Sequence, residues 1–182
     1  MAIAKKKKRF FDVDMPLIGK QTQLIAFELE ELEGKDIKYD LTRILKGKSI
    51  LLNLKVKIQE GKATSSPKEM NVVSYYLRRM IRKGSDYVED SFKTNCNNAE
   101  VLVKPFLITR RKVSNPVKRA LREEAKKEII NMFKDKNAEE IFEELLRNRF
   151  QKILSLKLKK IYPLSLCEIR TFKVIKDLEK KE

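Results

Sequence analysis

The stretch 66–84, reading SPKEMNVVSYYLRRMIRKG, carries the fullest set of helix signals in the chain. Ser66 stands where an N-cap would, with a hydroxyl able to accept a free backbone N–H. Pro67 follows at the first helical position, where a missing N–H costs nothing. Glu69, three residues after Ser66, completes a capping box. Gly84 suits the left-handed residue beyond a helix end. Between these signals Met70, Val73, Leu77, Met80 and Ile81 recur at helical spacing and form one apolar stripe. The pattern predicts a helix over 66–84, one face on a core and the other presenting Arg78, Arg79, Arg82 and Lys83. Taken alone, such a face is as readily a solvated surface as a binding one. The rest of the chain decides between them.

Lys and Arg number 42 among 182 residues, against 26 Asp and Glu, a formal charge of +16. That excess repels itself in a compact state, and a polyanion would supply the missing counter-charge. An apolar fraction of 42% is too high for a disordered chain. The length suffices for one domain with a real core. No apolar run is long enough to cross a membrane. The basic run Lys5–Arg9 leads directly into Phe10, Phe11 and Asp12, unlike a secretory leader. A cytoplasmic protein with no membrane partner is expected.

Catalytic options are few. The chain has no His, so it lacks the usual general base and the commonest metal ligand. Cys96 and Cys167 are far apart in sequence, with no second ligand at zinc-site spacing. They read as reduced cytosolic thiols rather than a disulfide. None of the five glycines lies in a phosphate-loop context. The pairs Glu123–Glu124 and Glu143–Glu144 are ordinary solvated acids. No catalytic residue, metal, cofactor or small-molecule substrate is expected. An acid-dependent nuclease is the enzymatic alternative.

Read in order, residues 1–9 form a flexible basic arm, 10–175 a single folded domain and 176–182 a frayed charged tail. In residues 12–34 Pro16 and Gly19 interrupt the beginning, and Leu24–Leu32, apolar and acidic by turns, fits either a short strand or a helical turn. Ile37, Tyr39 and Leu41 alternate with polar residues, as do Leu52, Leu54, Val56 and Ile58. They predict an antiparallel hairpin turning at Lys46-Gly47-Lys48. After Gly84, residues 86–94 and 99–111 predict a second hairpin about Asn95–Asn98, with Pro105 at an edge or bulge. Three helices follow. The first is capped at Ser114 or Asn115 and buries Val117, Ala120, Leu121, Ala125, Ile129, Met132 and Phe133. The second is capped by Asn137 and buries Ile141, Phe142, Leu145 and Leu146. The third spans about 149–160, carries Ile153, Leu154 and Leu158, and is stopped by Pro163. A last strand runs from Cys167 to about Ile175. The order β-β-α-β-β-α-α-α-β is α+β.

Four basic clusters recur on separate elements. They are the arm (Lys5, Lys6, Lys7, Lys8, Arg9), the helix (Arg78, Arg79, Arg82, Lys83), the strand end with the helix after it (Arg110, Arg111, Lys112, then Lys118, Arg119, Arg122), and the third helix (Lys157, Lys159, Lys160). Cations in the first turns of a helix oppose its dipole by a few tenths of a kcal/mol, a weak sign of an outside anion. Such a distribution suits a protein wedged among RNA segments, with phosphate contacts supplying salt-dependent affinity. Phe10, Phe11, Tyr75 and Tyr76 could stack on splayed bases, although one tyrosine in the core and one at its rim is the plainer reading. A free RNA- or DNA-binding factor is one reading of such a chain.

Several stretches resemble the e-type S-one family of archaeal and eukaryotic small-subunit ribosomal proteins, formerly called S-three-A-e. Tyr76-Leu77-Arg78-Arg79-Met80-Ile81-Arg82-Lys83-Gly84-Ser85 is similar to its Y-L-R-S-L-hydrophobic-R-R-x-S segment. Lys160-Ile161-Tyr162-Pro163-Leu164, Glu168-Ile169-Arg170 and Lys173-Val174 look like its K-I-Y-P-L…E-I-R-x-x-K-V ending, the most specific of the matches. Val103-Lys104-Pro105 matches the middle; Ile18-Gly19 and Leu32-Glu33-Gly34-Lys35 match signals near the start. The chain departs from the family at Arg9-Phe10-Phe11, where K-K-W is usual, and at residues 93–98, where a T-K-D-G turn is usual. It lacks the long eukaryotic C-terminal extension and looks archaeal in type. The resemblance implies an antiparallel β-barrel-like core with packed helices. It also implies a structural role on small-subunit ribosomal RNA, on the platform near the messenger exit and the 3′ end of the RNA. The neighbours would be platform proteins such as the universal S-eleven and e-type S-twenty-six proteins.

Overall fold

A computed structural model describes residues 7–45, 47–59 and 61–178. They form nine strands and four α-helices, an α+β arrangement as the sequence predicts. The chain divides into two compact units, 1–39 with 52–68, and 40–51 with 69–182.

The first unit is a set of hydrogen-bonded strands. β1 (Arg9–Met15) and β2 (Lys20–Ala26) pair antiparallel from Arg9 opposite Ala26 to Met15 opposite Lys20. Their hairpin closes at Gly19, whose N–H bonds the Met15 carbonyl at 2.9 Å with φ of 67°, a conformation that suits glycine. The segment Leu24–Leu32, open between a strand and a helical turn in the sequence, holds both, the end of β2 and a short 3-10 turn (Leu29–Leu32). β3 (Asp36–Asp40) pairs with β4 (Ile50–Gln59), as the alternation predicts. β5 (Lys62–Val72) lies between β4 and β1, running parallel to β1 at Val13–Ala63. Val13, Met15, Leu32, Leu52, Leu54 and Val56 are buried almost completely.

β5 overturns the expected helix over 66–84. Ser66, Pro67 and Glu69 lie in a strand, and no capping box forms there. Burial there alternates in two short runs, Ala63 and Ser65, then Met70 and Val72. Ser65 Oγ donates to the Asp14 carbonyl and Ser66 Oγ to the Lys55 carbonyl, so both hydroxyls serve neighbouring strands. The helix that does form is short, α1 (Ser74–Met80), with Val73 as its N-cap.

In the second unit the end of β5 pairs with β9 (Leu164–Asp177), Met70 opposite Phe172. β9 pairs with β8 (Ala99–Thr109) over its length, from Ala99 opposite Asp177 to Thr109 opposite Leu164. The expected single strand over 86–94 is two short ones, β6 (Tyr87–Glu89) and β7 (Phe92–Asn95), both on β8. They break at Asp90-Ser91, where the Asp90 carboxylate accepts the Ser91 N–H at 2.8 Å. The register of β8 on β9 shifts between Lys104 and Pro105, so the proline sits at a bulge, the second of its two expected places. Among the described residues the strand ladders do not close into a barrel, so the barrel-like description is loose, while α+β holds.

Three helices follow, α2 (Asn115–Phe133), α3 (Ala138–Leu146) and α4 (Arg149–Leu158). Leu121, Ala125, Ile129 and Phe133 form the buried stripe of α2; Ala120, expected inside, is exposed. The rings of Phe133 and Phe142 meet Phe172 edge-on, at 5.6 and 4.7 Å between centroids. Burying each such ring contributes about 1.5–3 kcal/mol. α4 buries Phe150, Gln151, Leu154 and Leu158, whereas Ile153 is exposed.

Candidate nucleic-acid interface

Outside the arm, each expected basic side chain owes its position to a local feature of the second unit. In α1, Leu77 is buried and anchors the helix, leaving Arg78 and Arg79 exposed in the last turn, where the helix dipole favours cations. The Ile81 N–H bonds the Arg78 carbonyl and ends the helix. Arg82 and Lys83 therefore lie beyond α1, in an exposed turn rather than on a helical face. Gly84, at φ of 89°, reverses the chain there, with the Ser85 N–H on the Arg82 carbonyl at 3.1 Å.

Asp86 ties this turn to two other clusters. Its carboxylate accepts the Val113 N–H and the Lys118 ammonium, both at 3.0 Å. The Val113 N–H, then Lys118, hold its carboxyl below the usual value. Its backbone N–H donates to Thr109 Oγ1 at 3.1 Å, and its carbonyl accepts the Thr109 N–H at 2.9 Å. Arg110, Arg111 and Lys112 come directly after Thr109, exposed at the end of β8. The Arg110 N–H bonds the Pro163 carbonyl at 3.3 Å, which brings the residues after α4 alongside. Lys159 and Lys160 are exposed just before that point.

Three of the four expected clusters are thus joined through Asp86, Thr109 and Pro163. Within them Lys118 is committed to Asp86, and Lys157 forms an ion pair with Glu128. Arg119 and Arg122 are exposed on α2. The fourth cluster, the arm, belongs to the first unit. Lys7, Lys8 and Arg9 are exposed, Arg9 already opens β1, and Lys8 lies over the Phe27 ring at 5.5 Å. Lys5 and Lys6 lie outside the described residues.

Of the expected stacking residues, Phe10 is exposed opposite Ile25, and Phe11 is half-buried. Neither Tyr75 nor Tyr76 enters the core. The Tyr75 hydroxyl bonds Ser49, and the half-buried Tyr76 phenol is pushed up by burial and then by Glu168.

The sequence reading missed Tyr87, Lys104 and Arg170. Tyr87 is 53% exposed and stacks on Phe106 at 5.7 Å. Arg170 donates to Glu89 at 3.0 Å. The available signal was the alternation of Tyr87-Val88-Glu89: with Val88 buried, an aromatic and a carboxylate point outward together.

Of the expected turn Lys46-Gly47-Lys48, Lys46 lies outside the described residues and Lys48 is buried. Its ammonium donates to Glu168 at 2.7 Å and to Asn148 Oδ1 at 2.5 Å. Glu168, in β9, is the buried counter-charge. Burial, and then the Glu168 charge, push the neighbouring Cys167 thiol up to about 12. Both cysteines are free and buried. Among the described residues no group of three or more His, Cys, Asp or Glu could hold a metal ion, and no helix is long and apolar enough to cross a membrane.

Comparison with known proteins agrees with the motifs. The sequence matches the Ribosomal S3Ae family over residues 4–177. It is 26% identical over 176 residues to the small ribosomal subunit protein eS1 of Nanoarchaeum equitans, covering 92% of this chain and 88% of that one. The family match reaches nearly from one end of the sequence to the other, and the chain belongs to the Ribosomal S3Ae family.

Proposed function

We propose that this protein is a structural constituent of the small ribosomal subunit and binds ribosomal RNA without catalysing a reaction. The observation that carries the reading is the joining of Arg82–Lys83, Arg110–Lys112 and Lys159–Lys160 through Asp86, Thr109 and Pro163, in a chain of a ribosomal family. These cations are exposed and carry no acidic partner in the bonds just described, as phosphate ligands must be before RNA arrives. Arg78, Arg79, Arg119 and Arg122 extend the same surface. Lys118 and Lys157, already paired, serve the fold more than the ligand. The arm residues Lys5–Arg9 make a separate contact.

The finer placement rests on the family resemblance. The protein sits on the platform, near the messenger exit and the 3′ end of the RNA, beside the universal S-eleven and e-type S-twenty-six proteins, in a cytoplasmic ribosome of archaeal type.

The test replaces Arg110, Arg111 and Lys112 together by Ala and measures binding to small-subunit RNA across salt concentrations. For each phosphate that loses its cation, the log–log salt slope should fall by about one. Thermal unfolding should move little, because all three side chains are in solvent. An unchanged slope would remove this cluster from the interface.

A further inference from the structure

Two hollows of the second unit meet at one ion pair, and of the expected RNA contacts Arg78 lines one and Arg122 the other. The first holds about 440 Å³ and is lined by Leu77, Arg78, Tyr87, Glu89, Phe106 and Arg170, among others. The second is of similar size, about 440 Å³, and is lined by Asp90, Ser91, Lys104 and Arg122, and again by Glu89 and Arg170. Both fall in the usual range of roughly 300–1,000 Å³ for small-ligand sites.

Their chemistries differ. The first is aromatic. Tyr87 lies nearly parallel to Phe106, at 23° and 5.7 Å, so one ring face is taken. Tyr87 is nonetheless half exposed, which leaves its other face for a further planar group. Glu89 holds Arg170 through one carboxylate oxygen, and carboxylate oxygens can also accept an amino hydrogen from a base edge. The second hollow is cationic. Lys104, Arg122 and Arg170 face two acids, of which Glu89 is paired with Arg170 and Asp90 accepts the Ser91 N–H.

We propose that these hollows bind one unstacked nucleotide of single-stranded RNA, its base on Tyr87 and its phosphate against Lys104 and Arg122. Arg170, shared by both hollows, stands between base and phosphate. A duplex cannot use the site, because its bases are already stacked. An apolar protein side chain would fill the aromatic hollow but bring no anion to the second, where three cations face only two acids. The inference deepens the RNA-binding reading and rests on it.

The test uses the full-length protein, a uridine hexamer and a short RNA duplex, with dissociation constants measured for each. Tyr87→Ala should weaken hexamer binding by about 5- to 150-fold, the range for removal of one base–aromatic stack. Tyr87→Phe should retain it, and duplex binding should be unchanged in both. A hexamer carrying 4-thiouridine should photo-crosslink to the peptide containing Tyr87. Arg110→Ala/Arg111→Ala/Lys112→Ala should show the opposite pattern, losing duplex more than hexamer. If Tyr87→Ala leaves hexamer affinity and the crosslink unchanged while duplex still binds, the nucleotide site is wrong and the RNA-binding reading stands. If the unaltered protein binds neither RNA, both fall.

Discussion

Two segments of this chain carry the same helix-start signal, and only one is a helix start. Ser66-Pro67-Lys68-Glu69 has a hydroxyl cap, a proline and a glutamate at capping-box spacing, yet it lies within β5. Asn137-Ala138-Glu139-Glu140 has no proline, yet it closes a capping box, with Glu140 accepting the Asn137 N–H at 3.3 Å. The two differ in the residues downstream of the signal. After Asn137, Ile141, Phe142 and Leu145 recur at helical spacing and are all buried. After Ser66, the next deeply buried residues are Met70 and Val72, two apart, with a partner strand waiting at Phe172. A cap contributes about 1 kcal/mol. A fully buried side chain contributes more. Where the two disagree, the buried pattern wins.

The largest test of this comparison pairs Met70 with Met80. A helix over 66–84 would put both on one stripe and make them equivalent. In the structure Met70 is fully buried in β5, and Met80 is half-buried at the end of α1. Met70→Ala should cost about 2–5 kcal/mol in urea unfolding. Met80→Ala should cost clearly less, and equal losses would restore the helix. A smaller effect separates the caps themselves. Asn137→Ala should cost about 0.5–2 kcal/mol. Ser66→Ala should stay within about 0.5 kcal/mol, since its hydroxyl makes only a 3.4 Å bond to the Lys55 carbonyl.

The smallest effect concerns a carboxylate that accepts a backbone N–H from a distant segment, that of Val113, whereas Glu140 accepts one within its own helix cap. The folded protein holds the Asp86 carboxyl below its ordinary value of 3.8. The unfolded chain therefore binds the proton first, and the stability contributed by Asp86 is present above that pH and lost as pH falls through the lower, folded value. Asp86→Asn should flatten the acid limb of a stability–pH curve below about pH 4 and change its shape little above it. A parallel downward shift at every pH would assign Asp86 a purely steric role.

How much was legible in the sequence obeys the same rule. The hairpin of β3 and β4, the three long helices and β9 were readable because apolar period and local signals agree there. β1 and β2 were not, because Pro16 and Gly19 interrupt the start and acidic residues crowd the end, from Glu28 to Glu33. The basic clusters were visible as composition. Their joining through Asp86 and Thr109 was not, because those bonds link residues more than twenty positions apart. Lys48 looked like a turn residue and is buried, since its counter-charge, Glu168, lies 120 positions away. Nothing near Lys48 announces that partner. Tyr87 was within reach, had the outward side of a three-residue strand been weighed as a surface.

The most direct test of a ribosomal role is where the protein sediments in a lysate of the cells that make it, first at low and then at high salt. The account predicts that it travels with the small subunit and stays there through the high-salt wash. A chain that runs free of the subunit at low salt would contradict it and leave an RNA-binding factor that works outside the ribosome.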